Sequence, residues 1–218
     1  MRLRNKENEK TLFLQNNENV IHEIKEQCNP AIFFDNNNPI ELEIGCGKGK
    51  FIISKALENP DINFIAIEKE LTVAGVALKK ALNIFKNNIP DNLKFMSYDV
   101  RKISSLFLNK TISKIYLNFS DPWPKKKHEK NRLTHHYFQE IYSNLLYSDA
   151  KIVLKTDNDS LFNYSFKTIM DNYFFRVEYF TTDLYNSIYL TENISTEYED
   201  KFTASGKNIN MLIASNQI

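Results

Sequence analysis

Cysteine is scarce: Cys28 and Cys46 are the only two in 218 residues, and neither has a CxxC or histidine-spaced partner. No zinc motif can be built from them, and an intracellular chain keeps such thiols reduced, so neither a disulfide nor a metal is expected. Long apolar runs are missing as well. No segment approaches the ~18–20 uncharged residues of a membrane span, and MRLRNKENEK lacks the apolar core of a secretion signal. A cytoplasmic protein without a membrane partner is the expectation. Charge of one sign is also lacking, since 28 basic against 27 acidic side chains leave a net charge of +1. Any attraction to a polyanion must therefore be local. Hydrophobic residues at 42% and charged residues at 25% argue against disorder, and the length suits one domain over residues 1–218.

Apolar periodicity alternates along the chain. PIELEIG, NFIAIE, LKFMSYDV, SKIYLNF and AKIVLKTD read as strands. KFIISKALENP, LTVAGVALKKALNIFKNN, RKISSLFLN, LTHHYFQEIYSNLLYS and SLFNYSFKTIMDN read as helices following them in turn. YFFRVEYFT and NINMLIAS close the chain as further strands. Strands separated by helices predict a doubly wound α/β fold, with a mostly parallel sheet covered on both faces. Ligands in such folds bind at the carboxyl ends of the strands.

Glycine is rare, yet three of five fall in EIGCGKG, as Gly45, Gly47 and Gly49, directly behind the first strand. This spacing misses the dinucleotide GxGxxG by one residue, and it is not a P-loop, because Lys50 precedes Phe51 rather than Ser or Thr. The GxGxG pattern resembles motif I of class I S-adenosylmethionine-dependent methyltransferases, which have a Rossmann-like fold; that resemblance implies a seven-stranded sheet. S-adenosylmethionine carries an amine, a sulfonium, a ribose diol and an adenine amine but no phosphate, so its site calls for carboxylates. Glu43, Glu68 and Asp99 stand at or beside three strand ends. Glu68 suits the two ribose hydroxyls and Asp99 the adenine amine. Capping of the following helices is the competing explanation for both acids.

The sole tryptophan lies in NFSDPWPKKKHEKNRL, residues 118–133. Pro122 and Pro124 bracket Trp123, fix φ on either side and remove two donors, which predicts a stiff loop presenting Asp121. Lys125, Lys126, Lys127, His128, Lys130 and Arg132 follow. They read either as a solvated helix start or as a local phosphate-binding ridge.

With EIGCGKG, IEKE, TDN at 156–158 and STEYE at 195–199, this loop resembles the signature of the bacterial tRNA (guanine-N7)-methyltransferases over essentially the whole chain. The resemblance implies methyl transfer from S-adenosylmethionine to N7 of a guanine in the tRNA variable loop, leaving S-adenosylhomocysteine. It further implies cofactor contacts at Glu43, Gly45, Gly47, Gly49, Glu68, Asp99 and Asp121, and a catalytic role for Asp121. Contacts to tRNA are implied at Lys125, Asp157, Thr196, Glu197, Tyr198 and Glu199. Asn131 interrupts a basic tail that in the family carries consecutive arginines, and Lys127 stands where arginine is frequent, losing the bidentate fork.

The chemistry is consistent with this. Guanine N7 has an in-plane lone pair and no proton, so the reaction needs alignment rather than a general base. A fixed carboxylate at Asp121 favours the charge developing on the ring and accepts from guanine N1 and its exocyclic amine. Trp123, Tyr137 or Phe138 would line a pocket for an unstacked base, unless they are core. His135 and His136, being adjacent, are read as pointing to different sides of a helix, unable to share a metal, and as structural or solvent-facing. Arg2, Arg4 and Lys6 suggest a basic arm over about 1–15, either disordered or gathering tRNA. A monomer and a homodimer are equally compatible with the sequence.

Overall fold

The computed structural model describes residues 7–16 and 18–218, which form two compact units, Met1–Leu108 and Asn109–Ile218. In the first, β2 (Ile40–Ile44), β3 (Asn63–Glu68) and β4 (Leu93–Ser97) are parallel neighbours in the order 2-3-4. A two-residue β1 (Val20–Ile21) adds to β4 at Phe95 and Met96. β2 is buried at every position and β3 at all but Glu68. Consecutive burial of this kind requires cover on both faces. Helices α2 (Lys50–Glu58) and α3 (Leu71–Ile84) connect the strands and pack on β3 and β4 through Ile52, Ile53, Ala77, Leu78 and Ala81.

Helix α1 (Glu7–Gln15) lies on α3, burying Phe13 and Glu9, with an ion pair of 3.3 Å from Lys79 to Glu9. The contact is made backbone to backbone at Gly75: a Cβ there would collide with the Glu9 carbonyl. Of the expected basic arm, residues 7–15 are therefore a docked helix with an acidic first turn, and Arg2, Arg4 and Lys6 lie outside the described residues.

The second unit orders its strands β5 (Ile112–Asn118), β6 (Leu146–Thr156), β8 (Asn210–Asn216), β7 (Phe175–Thr181). The β5–β6 pairing is parallel; β8 runs antiparallel to both β6 and β7. Helices α4 (His136–Leu145), α5 (Asp159–Met170) and α6 (Glu197–Ala204) complete it. The two units thus hold eight strands among the described residues rather than the expected seven, the addition being β1. The helix expected from Leu133 starts at His136 because the His135 imidazole caps it, accepting from the Tyr137 amide at 3.3 Å. This cap also brings the His135 and His136 rings to 4.0 Å, so they do not face different sides. Leu146 and Tyr147, expected in that helix, begin β6, and the segment after β4 is a 3-10 turn over Val100–Ser105.

Candidate active site

The carboxyl edge of the first unit is built by three adjacent strands. The chain leaves β2 through Gly45, Cys46 and Gly47, where the Gly45 and Cys46 amides both donate to the Ile67 carbonyl, at 2.8 and 3.0 Å. Gly45, Gly47 and Gly49 all have positive φ, the left-handed region that side chains resist. Gly49 is constrained twice over, since a Cβ would also stand 3.0 Å from the Ala77 Cβ and 3.2 Å from Ile53 Cδ1. Glu68 ties this turn to the next helix. Its Oε2 accepts from the Gly47 amide at 3.1 Å and its Oε1 from the Glu70 amide at 3.0 Å. The Lys69 amide is a third backbone donor to it, which leaves part of the roughly four lone-pair sites of an ionised carboxylate for a ligand hydroxyl. Burial pushes the Glu68 carboxyl up, opposed by these backbone hydrogen bonds.

Asp99 stands beyond β4, beside Lys69, whose ammonium is 3.3 Å from Oδ2. Its carboxylate also accepts from the Arg101 guanidinium and, at 3.1 Å, from the Arg101 amide, capping the turn that follows. The Arg101 hydrogen bonds, with Lys69, hold it well below the usual carboxylate range. The capping explanation is thus realised at Asp99. Glu43, inside β2, is buried at 2% exposure.

In the second unit the strand β5 ends in a loop of unusual backbone. Phe119 and Trp123 adopt φ of +51° and +43°, so two left-handed aromatic residues flank Ser120, Asp121 and Pro122. Each such residue costs about 1–2 kcal/mol. Phe119 is fastened by its amide to the Lys155 carbonyl at 2.8 Å and by a ring stack on Phe202. Trp123 is fastened by Arg132. Arg132 Nε donates to the Pro122 carbonyl at 3.0 Å and an Nη to the Trp123 carbonyl at 3.1 Å, while the guanidinium carbon lies 4.2 Å from the Tyr164 ring centre. Hydrogen bonds from charged donors contribute about 1.5–3 kcal/mol each, more than the strain they offset. Arg132 is 7% exposed, so it does not belong to the expected cationic ridge. Lys125, Lys126, Lys127 and Lys130 do face solvent, along a 3-10 turn over Lys126–Asn131. Asp121 is exposed. Trp123 is partly so and meets His128 at 5.8 Å, Tyr137 is exposed, and Phe138 is core, stacked on Tyr142 one helical turn on.

The TDN and TEYE segments converge with this loop. Lys207 pairs with Asp157 at 3.3 Å and lies 5.2 Å over the Phe202 ring, the same ring that stacks on Phe119 and Tyr198. Thr196 caps α6, its hydroxyl accepting from the Glu199 amide at 2.9 Å. Glu199 is wholly buried against Lys155, Nζ to Oε2 at 2.7 Å, and its Oε1 accepts from Asn193 at 2.6 Å and Tyr185 at 3.2 Å. Both carboxylate oxygens are therefore occupied. Direct contact with tRNA, expected of Thr196 and Glu199, is at odds with their burial; Glu197 and Tyr198 are the outward members of the segment. The part Lys155 plays in holding this segment does not show in the sequence, because its partner lies 44 positions away.

A methyltransferase family model, "Putative methyltransferase", matches residues 37–212. A tRNA (guanine-N(7)-)-methyltransferase from Mesoplasma florum is 49% identical over 218 residues, covering 98% of each chain. The chain belongs to the tRNA (guanine-N7)-methyltransferase family. A second member, from Mycoplasma mycoides subsp. mycoides, is 42% identical over 99% of both chains. Solved structures share the fold at low identity. The 16S rRNA methyltransferase KamB aligns with TM-score 0.64 at 10% identity, over 88% of this chain and 99% of its own. A geranyl diphosphate C-methyltransferase from Streptomyces coelicolor A3(2), solved with S-adenosyl-L-homocysteine, aligns with TM-score 0.55 at 13% identity over 85% and 76%. The fold is that of the class I S-adenosylmethionine-dependent methyltransferases.

Proposed function

We propose that the protein methylates N7 of a guanine in the variable loop of tRNA, acting in the cytoplasm. Its full-length likeness to tRNA (guanine-N7)-methyltransferases carries this reading. S-adenosylmethionine supplies the methyl group as an electrophile already activated by its sulfonium charge. The first unit's edge fits such a group: Glu68 keeps acceptor capacity beyond its backbone bonds, and Gly45 and Gly47 leave open space where a Cβ would stand. Glu43, Gly45, Gly47, Gly49, Glu68 and Asp99 are the residues assigned to it, with Asp121 as a further contact.

Asp121 is assigned to the guanine. Because N7 bears no proton, the carboxylate works by accepting from the base's N–H donors and by favouring positive charge on its imidazole ring. Holding the base in line is the remaining task, and a loop pinned at Phe119 and Trp123 serves it. Lys125, with Asp157, Glu197 and Tyr198, is assigned to tRNA, while Thr196 and Glu199 hold the segment in shape. No step calls for a metal or a membrane, and the chemistry is the same for a monomer or a homodimer.

The test is incubation of the purified protein with methyl-labelled S-adenosylmethionine and unmodified tRNA, followed by nucleoside analysis. Label is expected in 7-methylguanosine, with Asp121→Ala lowering kcat by about 10²–10³-fold. Label on free amines and none in tRNA would overturn the function; full turnover by the variant would remove Asp121 from its role.

A further inference from the structure

We infer that Arg132 is a positioning residue for the reaction, a cation turned inward to set the backbone of the Asp121 loop. In sequence it is the last member of a run of cations that reads either as a solvated helix start or as a phosphate-binding ridge. In the structure it is buried while Lys125, Lys126, Lys127 and Lys130 are exposed. Its donors meet the two consecutive carbonyls of Pro122 and Trp123, the residues immediately after Asp121, and Tyr164 of α5 supports the guanidinium from below.

The geometry explains why an arginine is needed. Prolines at 122 and 124 remove two of the amides that could otherwise anchor this stretch, so the carbonyls carry more of the task of holding it. Trp123, non-glycine at φ +43°, persists only where its surroundings over-determine it. A planar fork reaches two adjacent carbonyls at once, which a lysine ammonium on a flexible stem does not do in a fixed geometry. The loop's shape is thereby referred to α5, a regular helix, rather than to the exposed lysines beside it. The inference rests on the proposed methyl transfer for its catalytic meaning, but its structural half does not.

Trp123 is the only tryptophan, so its emission reports this loop alone. In Arg132→Lys we expect a shift of the emission maximum and a fall in anisotropy. With tRNA, kcat should fall by ~10–100-fold, as expected for a small misplacement of a catalytic group, with KM for tRNA within about twofold and its salt dependence unchanged. A phosphate-binding arginine would instead raise KM and lower the salt slope by about one. Tyr164→Leu should reproduce the Arg132→Lys phenotype and Tyr164→Phe, which keeps the ring, should not; this pair guards against simple unfolding. Unaltered Trp123 emission and anisotropy in Arg132→Lys, or a reduced salt slope, would overturn the inference. Were the native protein to leave tRNA unmethylated, the functional reading would fall while the fluorescence of the variants still decided the loop's anchor.

Discussion

The two strand edges solve one problem with different residues. Both must turn the chain sharply at the end of a strand and hold polar groups there. The first unit uses Gly45, Gly47 and Gly49, for which positive φ is inexpensive, and a single carboxylate, Glu68, links the turn to its neighbour. The second places aromatic residues, Phe119 and Trp123, in the same region of backbone space, and must therefore supply restraint from elsewhere: Arg132 on Tyr164, and Phe202 on a helix whose start is bolted down by Lys155 and Glu199. A glycine turn is self-sufficient, whereas a strained aromatic loop is only as good as its supports. The compensation is that aromatic side chains bring flat apolar surface, which glycine cannot.

The contrast predicts where each edge breaks. The largest effect is expected at the buried pair. Removing one partner in Lys155→Met leaves Glu199 charged and buried, at a cost of about 3–5 kcal/mol, measurable by chemical denaturation, and Lys155→Met with Glu199→Leu should recover much of it. If the single variant unfolds like the native protein, the second edge is not dependent on its supports. Gly49→Ala comes next, adding about 1–2 kcal/mol of left-handed strain to about 1–3 kcal/mol of crowding against Ala77 and Ile53. Gly47→Ala, with open space around it, should show the strain alone. Equal losses at the two positions would refute the packing difference.

A smaller effect concerns pH. Glu68 has a raised folded-state pKa, so it takes up a proton at a higher pH than an ordinary glutamate, and the cost of burying it charged is felt above that range. Cofactor affinity, read by calorimetry, should accordingly weaken as pH falls through the raised value. Glu68→Gln should weaken binding about tenfold, roughly 1.4 kcal/mol, and flatten that profile. Asp99 runs the opposite way: its depressed pKa contributes stability that is present above the unfolded-state value and lost only as pH falls below it. The smallest effect is at Lys125→Ala, which should reduce the salt slope of tRNA binding by about one and leave turnover on saturating tRNA nearly unchanged.

Much of this was legible in the sequence where physics is local. The strand, glycine turn and helix of residues 40–58 follow from apolar periodicity and three glycines, and the rigid loop at Asp121 from two prolines. What escaped is set by distant contacts. Val20 and Ile21 are too short a strand for periodicity to register, and exist by pairing with Phe95 and Met96. Leu146 and Tyr147 have helical spacing but are drawn into β6. Arg132 and Lys130 are both cations in one basic run; only the fold makes one an inward clamp and the other a surface charge. The acids of STEYE resist division for the same reason, since Glu199 is buried against Lys155 of β6 while Glu197 lies nearer the surface.

Gly75 carries a last implication. Because α1 meets α3 with no side chain between them, nine residues of weak intrinsic helicity are retained by a space the size of a hydrogen atom. Even serine at that point would lift the amino-terminal helix away and leave Phe13 in water, creating a sticky surface. Damage there would surface as poor yield or aggregation, and a screen scoring activity alone would mistake it for an inactive enzyme.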